Sequence, residues 1–136
     1  MEPLQGIGRA DEHLGRPVPL PRAALPLGRW VEVFADGPGA VEVVWNLDDT
    51  RAGAPGRLAL RASLDEAPTQ LVDAQADAVA IGSANGQRRV APLPQAQRSL
   101  RPVTELRWRA GELHLRLTAQ GPWDERELLA VASSVG

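Results

Sequence analysis

Apolar and polar side chains alternate most regularly in T-E-L-R-W-R-A-G-E-L-H-L-R-L-T, Thr104 to Thr118. Leu106 and Trp108 interleave with Glu105, Arg107 and Arg109, and Leu113, Leu115 and Leu117 with Glu112, His114 and Arg116. A period of two gives each strand one buried and one wet face. Folding about Ala110-Gly111 sets Trp108 opposite Leu113 and Leu106 opposite Leu115. It also sets Arg109 against Glu112 and Glu105 against Arg116, so apolar meets apolar and opposite charges meet. Alanine is a poor residue for a tight turn that needs positive φ, which leaves a longer loop open.

Beyond this hairpin the period changes to that of a helix. Asp124 and Glu127 have the spacing of a capping box, with Trp123 and Leu128 at the flanking staple positions. The acidic first turn suits the positive end of the helix dipole. Leu128, Val131, Ala132 and Val135 fall on one stripe, predicting a helix from about Glu125 to Ser134 that packs on the Leu113, Leu115 and Leu117 face.

Upstream, Ile7, Ala10 and Leu14 have helical spacing, and Gly15 can close a short helix. Residues 1–6 are expected to fray. Pro17, Pro19, Pro21 and Pro26 make residues 16–28 an extended connector, with Val18, Leu20, Leu25 and Leu27 to lay on a surface. Strands follow at 29–35, 40–47 and 57–63, the first two joined by the turn Asp36-Gly37-Pro38-Gly39. Val31 and Val33 share one face. Val41, Val43 and Trp45 share another, with Val44 behind them, as in a central strand. In the third strand Leu58 and Leu60 point inward and Arg57 and Arg61 outward. Residues 64–76 fit no element. Residues 77–82 and 88–93 read as a hairpin about Asn85-Gly86, which pairs Ile81 with Val90. The expected fold is a single α+β domain over residues 1–136. It has a curved antiparallel sheet of six to seven strands, a short N-terminal helix and a C-terminal helix packed on one face.

Composition excludes more than it assigns. The chain has 136 residues, 43% hydrophobic and 24% charged, which is ordinary for one globular domain. A net charge of −2 supplies no global field for nucleic acid. There is no cysteine, hence no disulfide, thiol catalysis or cysteine-held metal. All 15 cationic side chains are arginine. No apolar run is long enough for a transmembrane span, and Met1 to Arg9 lacks the parts of a signal peptide. A cytoplasmic chain is expected, or an extracytoplasmic one if it is the soluble piece of a membrane-anchored protein.

Two stretches carry a family resemblance. A-D-E-H-L-G-R-P-V-P-L-P, Ala10 to Pro21, and L-R-W-R-A-G-E-L-H-L-R-L-T with W-D-E-R-E-L-L-A-V-A-S-S resemble the extracytoplasmic domain of bacterial anti-sigma-factor-like proteins and lipoprotein-like chains. The resemblance implies an α+β fold akin to the half-barrels of lipoprotein carriers and sigma-factor regulators. It implies no enzymatic activity and transfers no catalytic residue.

Catalytic signals are weak. His13 and His114 lack ligand spacing, and Asp48-Asp49 does not match a calcium loop. Gly6-Ile7-Gly8-Arg9 is a fragment of a phosphate loop with no strand before it. No serine sits in a nucleophile elbow. No catalytic, cofactor or metal residue is assigned. The best candidate surface is the outward row Arg107, Arg109 and Arg116, with Arg98 and Arg101 nearby, suited to phosphate, an acidic lipid headgroup or an acidic partner. Glu105 and Glu112 interleave with it. Trp30 and Phe34 form a second candidate surface if both sheet faces are not covered. The expected function is a non-enzymatic binding or sensor domain for a protein partner or an apolar ligand. The alternatives are a carrier holding a lipid between sheet and helix, and a small hydrolase.

Overall fold

The computed structural model describes residues 1–25, 28–47, 56–66, 69, 71, 74–92, 102–121 and 123–136; the side chains of 28–30, 46, 47, 92 and 102 lie outside that description. In chain order the elements are β1 (Glu2–Leu4), α1 (Ile7–Leu14), β2 (Gly28–Ala35), β3 (Ala40–Leu47) and β4 (Leu58–Ser63). They continue with β5 (Asp77–Ile81), β6 (Ala84–Pro92), β7 (Pro102–Ala110), β8 (Leu113–Gln120) and α2 (Glu125–Ser133). The strands form one antiparallel sheet in the order β1-β2-β3-β4-β8-β7-β6-β5. This is an α+β fold of two four-stranded meanders joined where β4 meets β8. The joining strands are largely buried, which suits central positions.

The sheet has eight strands rather than six to seven. The additional strand is β1, within the stretch expected to fray, and it pairs Leu4 with Val33. Three residues containing a proline show no alternation, and Pro3 is tolerated because β1 lies at the sheet edge. Val31, expected to point inward beside Val33, is 53% exposed. It falls beyond the reach of β1, whose pairing stops at Val33.

Both predicted hairpin registers shift. The β7–β8 turn is Gly111-Glu112, with Ala110 paired to Leu113 and Trp108 to Leu115. Gly111 takes φ 62, the left-handed conformation that Ala110 would resist. Leu106 therefore faces Leu117, Arg109 faces His114, and Glu105 faces Thr118 rather than Arg116. The β5–β6 turn is Gly82-Ser83, which pairs Ile81 with Ala84, not Val90. Asn85 and Gly86 lie within β6. Gly86 serves close approach instead of a turn: a Cβ there would sit 2.6 Å from Ile81 Cδ1 and 2.8 Å from the Arg107 carbonyl oxygen.

Register carries one apolar row across the sheet through Val33, Val43, Leu60, Leu117 and Leu106. All five are buried, in one core cluster with Ala10 and Leu14 of α1 and Leu128, Val131 and Ala132 of α2. Burying a leucine or valine side chain contributes about 1.5–3 kcal/mol relative to exposure. Val18, Leu20 and Leu25 of the connector join this core. Pro21 bridges to Val135, and Ser134 Oγ accepts from the amides of Arg22 at 3.1 Å and Ala23 at 3.0 Å. Asp11 Oδ1 holds the other end by accepting from the Val18 amide at 2.7 Å.

The start of α2 is fixed by Asp124, whose Oδ1 accepts from the Arg126 amide at 2.8 Å. Asp124→Ala should therefore destabilise the domain by about 1 kcal/mol, whereas Asp124→Ser should stay within a few tenths. Urea unfolding followed by circular dichroism separates the two, and an unchanged midpoint for alanine would remove the cap from the account. None of the helices described is long and apolar enough to cross a membrane.

Candidate functional site

The sheet face opposite the core row is polar, and register lines up its charges. One row runs Phe34, Glu42, Arg61, Arg116, Arg107 and Gln87 across β2, β3, β4, β8, β7 and β6. The one-residue shift of the β7–β8 turn moves each cross-strand partner by two and puts Arg107 opposite Arg116, and Arg116 is opposite Arg61. Three arginines thus stand side by side on adjacent strands, where like charges normally destabilise pairing. A neighbouring row brings Ser63, His114 and Arg109 together.

A cavity of about 280 Å³ opens over these rows. Arg61, Arg107, Arg109, Arg116, Ser63, His114 and Glu66 all line it, with Asn85 and Gln87 at the β6 side. Arg107, Arg109 and Arg116 of the predicted surface are therefore brought into one site. Phe34 is half-buried in the same row, beyond Glu42, and does not line the cavity. The Trp30 side chain lies outside the described residues, as do Asp48, Asp49, Arg98 and Arg101.

The arginines are not equivalent. Arg61 is fixed: its Nε donates to Asp36 Oδ2 at 2.7 Å and its Nη1 to Ser63 Oγ at 2.8 Å. The Ser63 hydroxyl in turn donates to the Asp65 carbonyl. Arg107 reaches Glu66 at 3.7 Å, and Glu66 is largely solvent-exposed. Arg109 is exposed and forms no ion pair among the described residues.

Arg116 is the buried member. Its side chain is 9% exposed, its partner Glu42 is equally buried, and they approach only to 3.9 Å. Its Nε is buried without a hydrogen-bond partner. Burial lowers the guanidinium pKa from its ordinary value, as do Arg61 and Arg107, while Glu42 and Glu105 oppose the shift. A buried donor left unsatisfied costs about 1–3 kcal/mol.

Glu105 completes the polar face. Expected at the surface, it is 2% exposed. It accepts from Thr69 Oγ1 at 2.9 and 3.1 Å and pairs with Arg89 at 3.5 Å. Sequence alternation had placed Arg61 and Arg116 outward, but nothing in it marked Glu42, Ser63 or Glu66 as their neighbours. Those positions depend on the β4–β8 junction and on Thr69, whose hydroxyl donates to Glu105.

The other histidine stands apart, with His13 Nε2 donating to the Gly37 carbonyl at 2.7 Å. Among the described residues no three His, Asp or Glu side chains are grouped to hold a metal. A smaller groove of about 210 Å³ lies between α2 and the β6–β7 strands. Leu106, Leu128, Val90 and Trp123 line it, and Trp123 Nε1 is buried without a partner.

The fold and cavity define an α+β domain with one antiparallel sheet and an arginine-lined polar face. Comparison with protein-family models, curated proteins and solved structures finds no match to this chain.

Proposed function

We propose that the chain is a non-enzymatic binding domain that receives a negatively charged group of a protein partner in the arginine-lined cavity. The observation that carries this reading is Arg116, nine-tenths buried, with an unpartnered Nε in a row with Arg61 and Arg107. A cation row held together with an unsatisfied donor is costly, and an incoming anion relieves both penalties. The helices, on this reading, cover one face of a curved sheet and leave the polar face to the partner. The resemblance to the envelope domain of anti-sigma-like proteins fits such a partner-binding role.

The carrier reading ranks second. It draws on the groove beside Trp123, whose volume of about 210 Å³ is below the roughly 300–1,000 Å³ of small-molecule pockets. The hydrolase reading ranks third. Ser63 faces His114 across the β4–β8 pair, but its hydroxyl proton is engaged by the Asp65 carbonyl and its oxygen by Arg61.

A fluorescein-labelled glutamate-rich peptide followed by anisotropy at low salt tests the proposal. The native chain is expected to bind it with an affinity that falls steeply as salt rises. Arg107→Glu with Arg109→Glu should weaken binding at least tenfold, the effect of reversing two charges in a semi-enclosed site. Unfolding of this variant should stay cooperative. Unchanged binding in a folded double variant would make this surface inert.

A further inference from the structure

We infer that the partner's acidic group arrives on an extended segment that adds to the sheet as a further strand, antiparallel to β5, with glutamates at alternate positions and apolar residues between them. The inference rests on the anion-binding reading above and adds where the partner's backbone lies and what sequence it carries.

The two ends of the sheet differ. At one end β1 is three residues long, contains Pro3 and leads directly into α1. Beyond it, β2 carries a register irregularity between Gly28 and Trp30. Shortness, proline and bulges are the devices that blunt a sheet edge. At the other end β5 runs five residues, Asp77 to Ile81, in unbroken register with β6. It has no proline and no charge after Asp77. Its turn is anchored to α2, because the Gly82 amide donates to Ser133 Oγ at 3.0 Å. With Gly82-Ser83 as a two-residue turn, Ile81 and Ala84 close the ladder, so Asp77, Val79 and Ile81 direct their backbone groups to β6. Ala78 and Ala80 turn their N–H and C=O groups to the open edge. Among the described residues no backbone hydrogen bond outside the ladder reaches them. Such a regular edge is a template for another strand.

Register decides what the segment must carry. Ala78 lies opposite Gln87 and Ala80 opposite Asn85, and Gln87 and Asn85 line the arginine cavity. Residues added opposite the two alanines therefore share the cavity's face of the sheet. Ala78 and Ala80 are exposed and small, so β5 itself puts no bulky side chain between the added residues and the cavity. At about 4.8 Å per strand, the added positions stand about 10 Å from those of Gln87 and Asn85. A glutamate leaning over the alanines reaches the amide groups of these two side chains. It also comes within a Debye length of Arg109, about 8 Å at physiological salt. Arg109 is exposed and in no ion pair among the described residues. Glu66 is paired with Arg107, and the buried Glu105 with Arg89 and Thr69. The intervening residues of the segment face the other way, beside Val79, which packs half-buried against the core, and apolar side chains suit them. Asp77, the one charge of β5, is on that side as well, opposite Arg88. A glutamate on the cavity face thus meets no like charge on β5.

The test follows the anisotropy of two fluorescein-labelled peptides of one composition, the first alternating glutamate with valine, the second carrying its glutamates in one block and its valines in another. The alternating peptide should bind the native chain about tenfold more tightly, the scale of backbone hydrogen bonds that the block peptide cannot make while its charges reach the cavity. Ala78→Pro removes an N–H that faces away from β6, so the ladder keeps its bonds and unfolding stays cooperative. In that variant the alternating peptide should lose about the same factor, again the scale of a backbone bond left unmade. N-methylation of the peptide asks the same question without touching the fold. On the glutamates, whose N–H groups face β5, it should abolish binding; on the valines, whose N–H groups face solvent, it should not. Equal affinity for the alternating and block peptides, with Arg107→Glu and Arg109→Glu together still weakening both, would overturn the added strand and leave the anion site standing. Equal tolerance of N-methylation at the two residues would do the same. If neither peptide binds, both readings fall. A native chain that light scattering shows as a dimer, and Ala78→Pro as a monomer, would give the edge to a second copy and overturn the inference.

Discussion

Arg116→Ala should cost about 3 kcal/mol of stability and abolish anion binding together. The substitution leaves Glu42, whose side chain is 9% exposed, buried without the cation it faces. Breaking a buried pair in this way costs about 3–5 kcal/mol, and the 3.9 Å separation puts the effect at the lower end. The midpoint of thermal unfolding should fall by roughly 10 °C for a domain of this size. Exchanging both partners, as Arg116→Met with Glu42→Met, should recover most of the loss, because apolar replacement of a whole buried pair is often neutral or stabilising. That double variant should come close to the native chain in stability and still fail to bind the anion, which separates the folding role from the binding role. A single Arg116→Ala variant within half a kcal/mol of the native chain would mean that this face is solvated and the pair inconsequential.

Gly86→Ala should destabilise by about 2 kcal/mol, although the residue lies in a strand where alanine is normally tolerated. The added Cβ would meet Ile81 Cδ1 at 2.6 Å and the Arg107 carbonyl oxygen at 2.8 Å. Ile81 can change rotamer, but the carbonyl is part of β7, paired to β6, and can yield only by opening the ladder. Overpacking of this kind costs about 1–3 kcal/mol. The reduced entropy of the unfolded chain offsets it by only about 0.4–1 kcal/mol. Asn85→Ala next to it, on an exposed side chain, should stay within half a kcal/mol. Equal urea midpoints for the two variants would show that β6 and β7 slide apart at little cost. Because Arg107 belongs to the arginine row, Gly86→Ala should also weaken binding of the glutamate-rich peptide.

The elements were legible where a local rule dictates them. Ile7–Leu14 with Gly15 behind it, the Asp124 cap and the β3 span Ala40–Leu47 all follow from spacing and capping chemistry read over a few residues. The strand edge at Glu2–Leu4 was not legible, because an edge strand is defined by its partner and β1 has no periodicity of its own. The turns failed for a sharper reason. Asn85-Gly86 is a strong turn dipeptide, yet Gly86 is required where Ile81 crosses the strand, and Gly82-Ser83 makes the turn. In β7–β8 the pairing of opposite charges argued for a register that Gly111 overrides.

That override also hid the candidate site. Arg107, Arg109 and Arg116 stood out in the sequence as an outward row, but with Glu105 and Glu112 placed to neutralise them. In the observed register Arg107 and Arg116 face each other, and Glu105 is turned to Thr69 and Arg89. Arg61, Glu42 and Ser63 come from the other meander, and no local pattern links them to β8. A site assembled across the β4–β8 junction is a property of topology, and single-strand periodicity does not contain it.

The tie between the proline connector and Ser134 has a consequence for how the chain is made. Arg22 and Ala23 find their acceptor more than a hundred residues later, at Ser134, and Pro21 finds its bridge partner at Val135. Synthesis is vectorial, at roughly 5–20 residues per second, so the connector and its Val18, Leu20 and Leu25 side chains wait several seconds for their seat. Throughout that interval the early meander β1–β4 exposes the edge of β4 that β8 will cover. The connector's seat and the partner of the β4 edge are therefore both supplied by the last third of the chain.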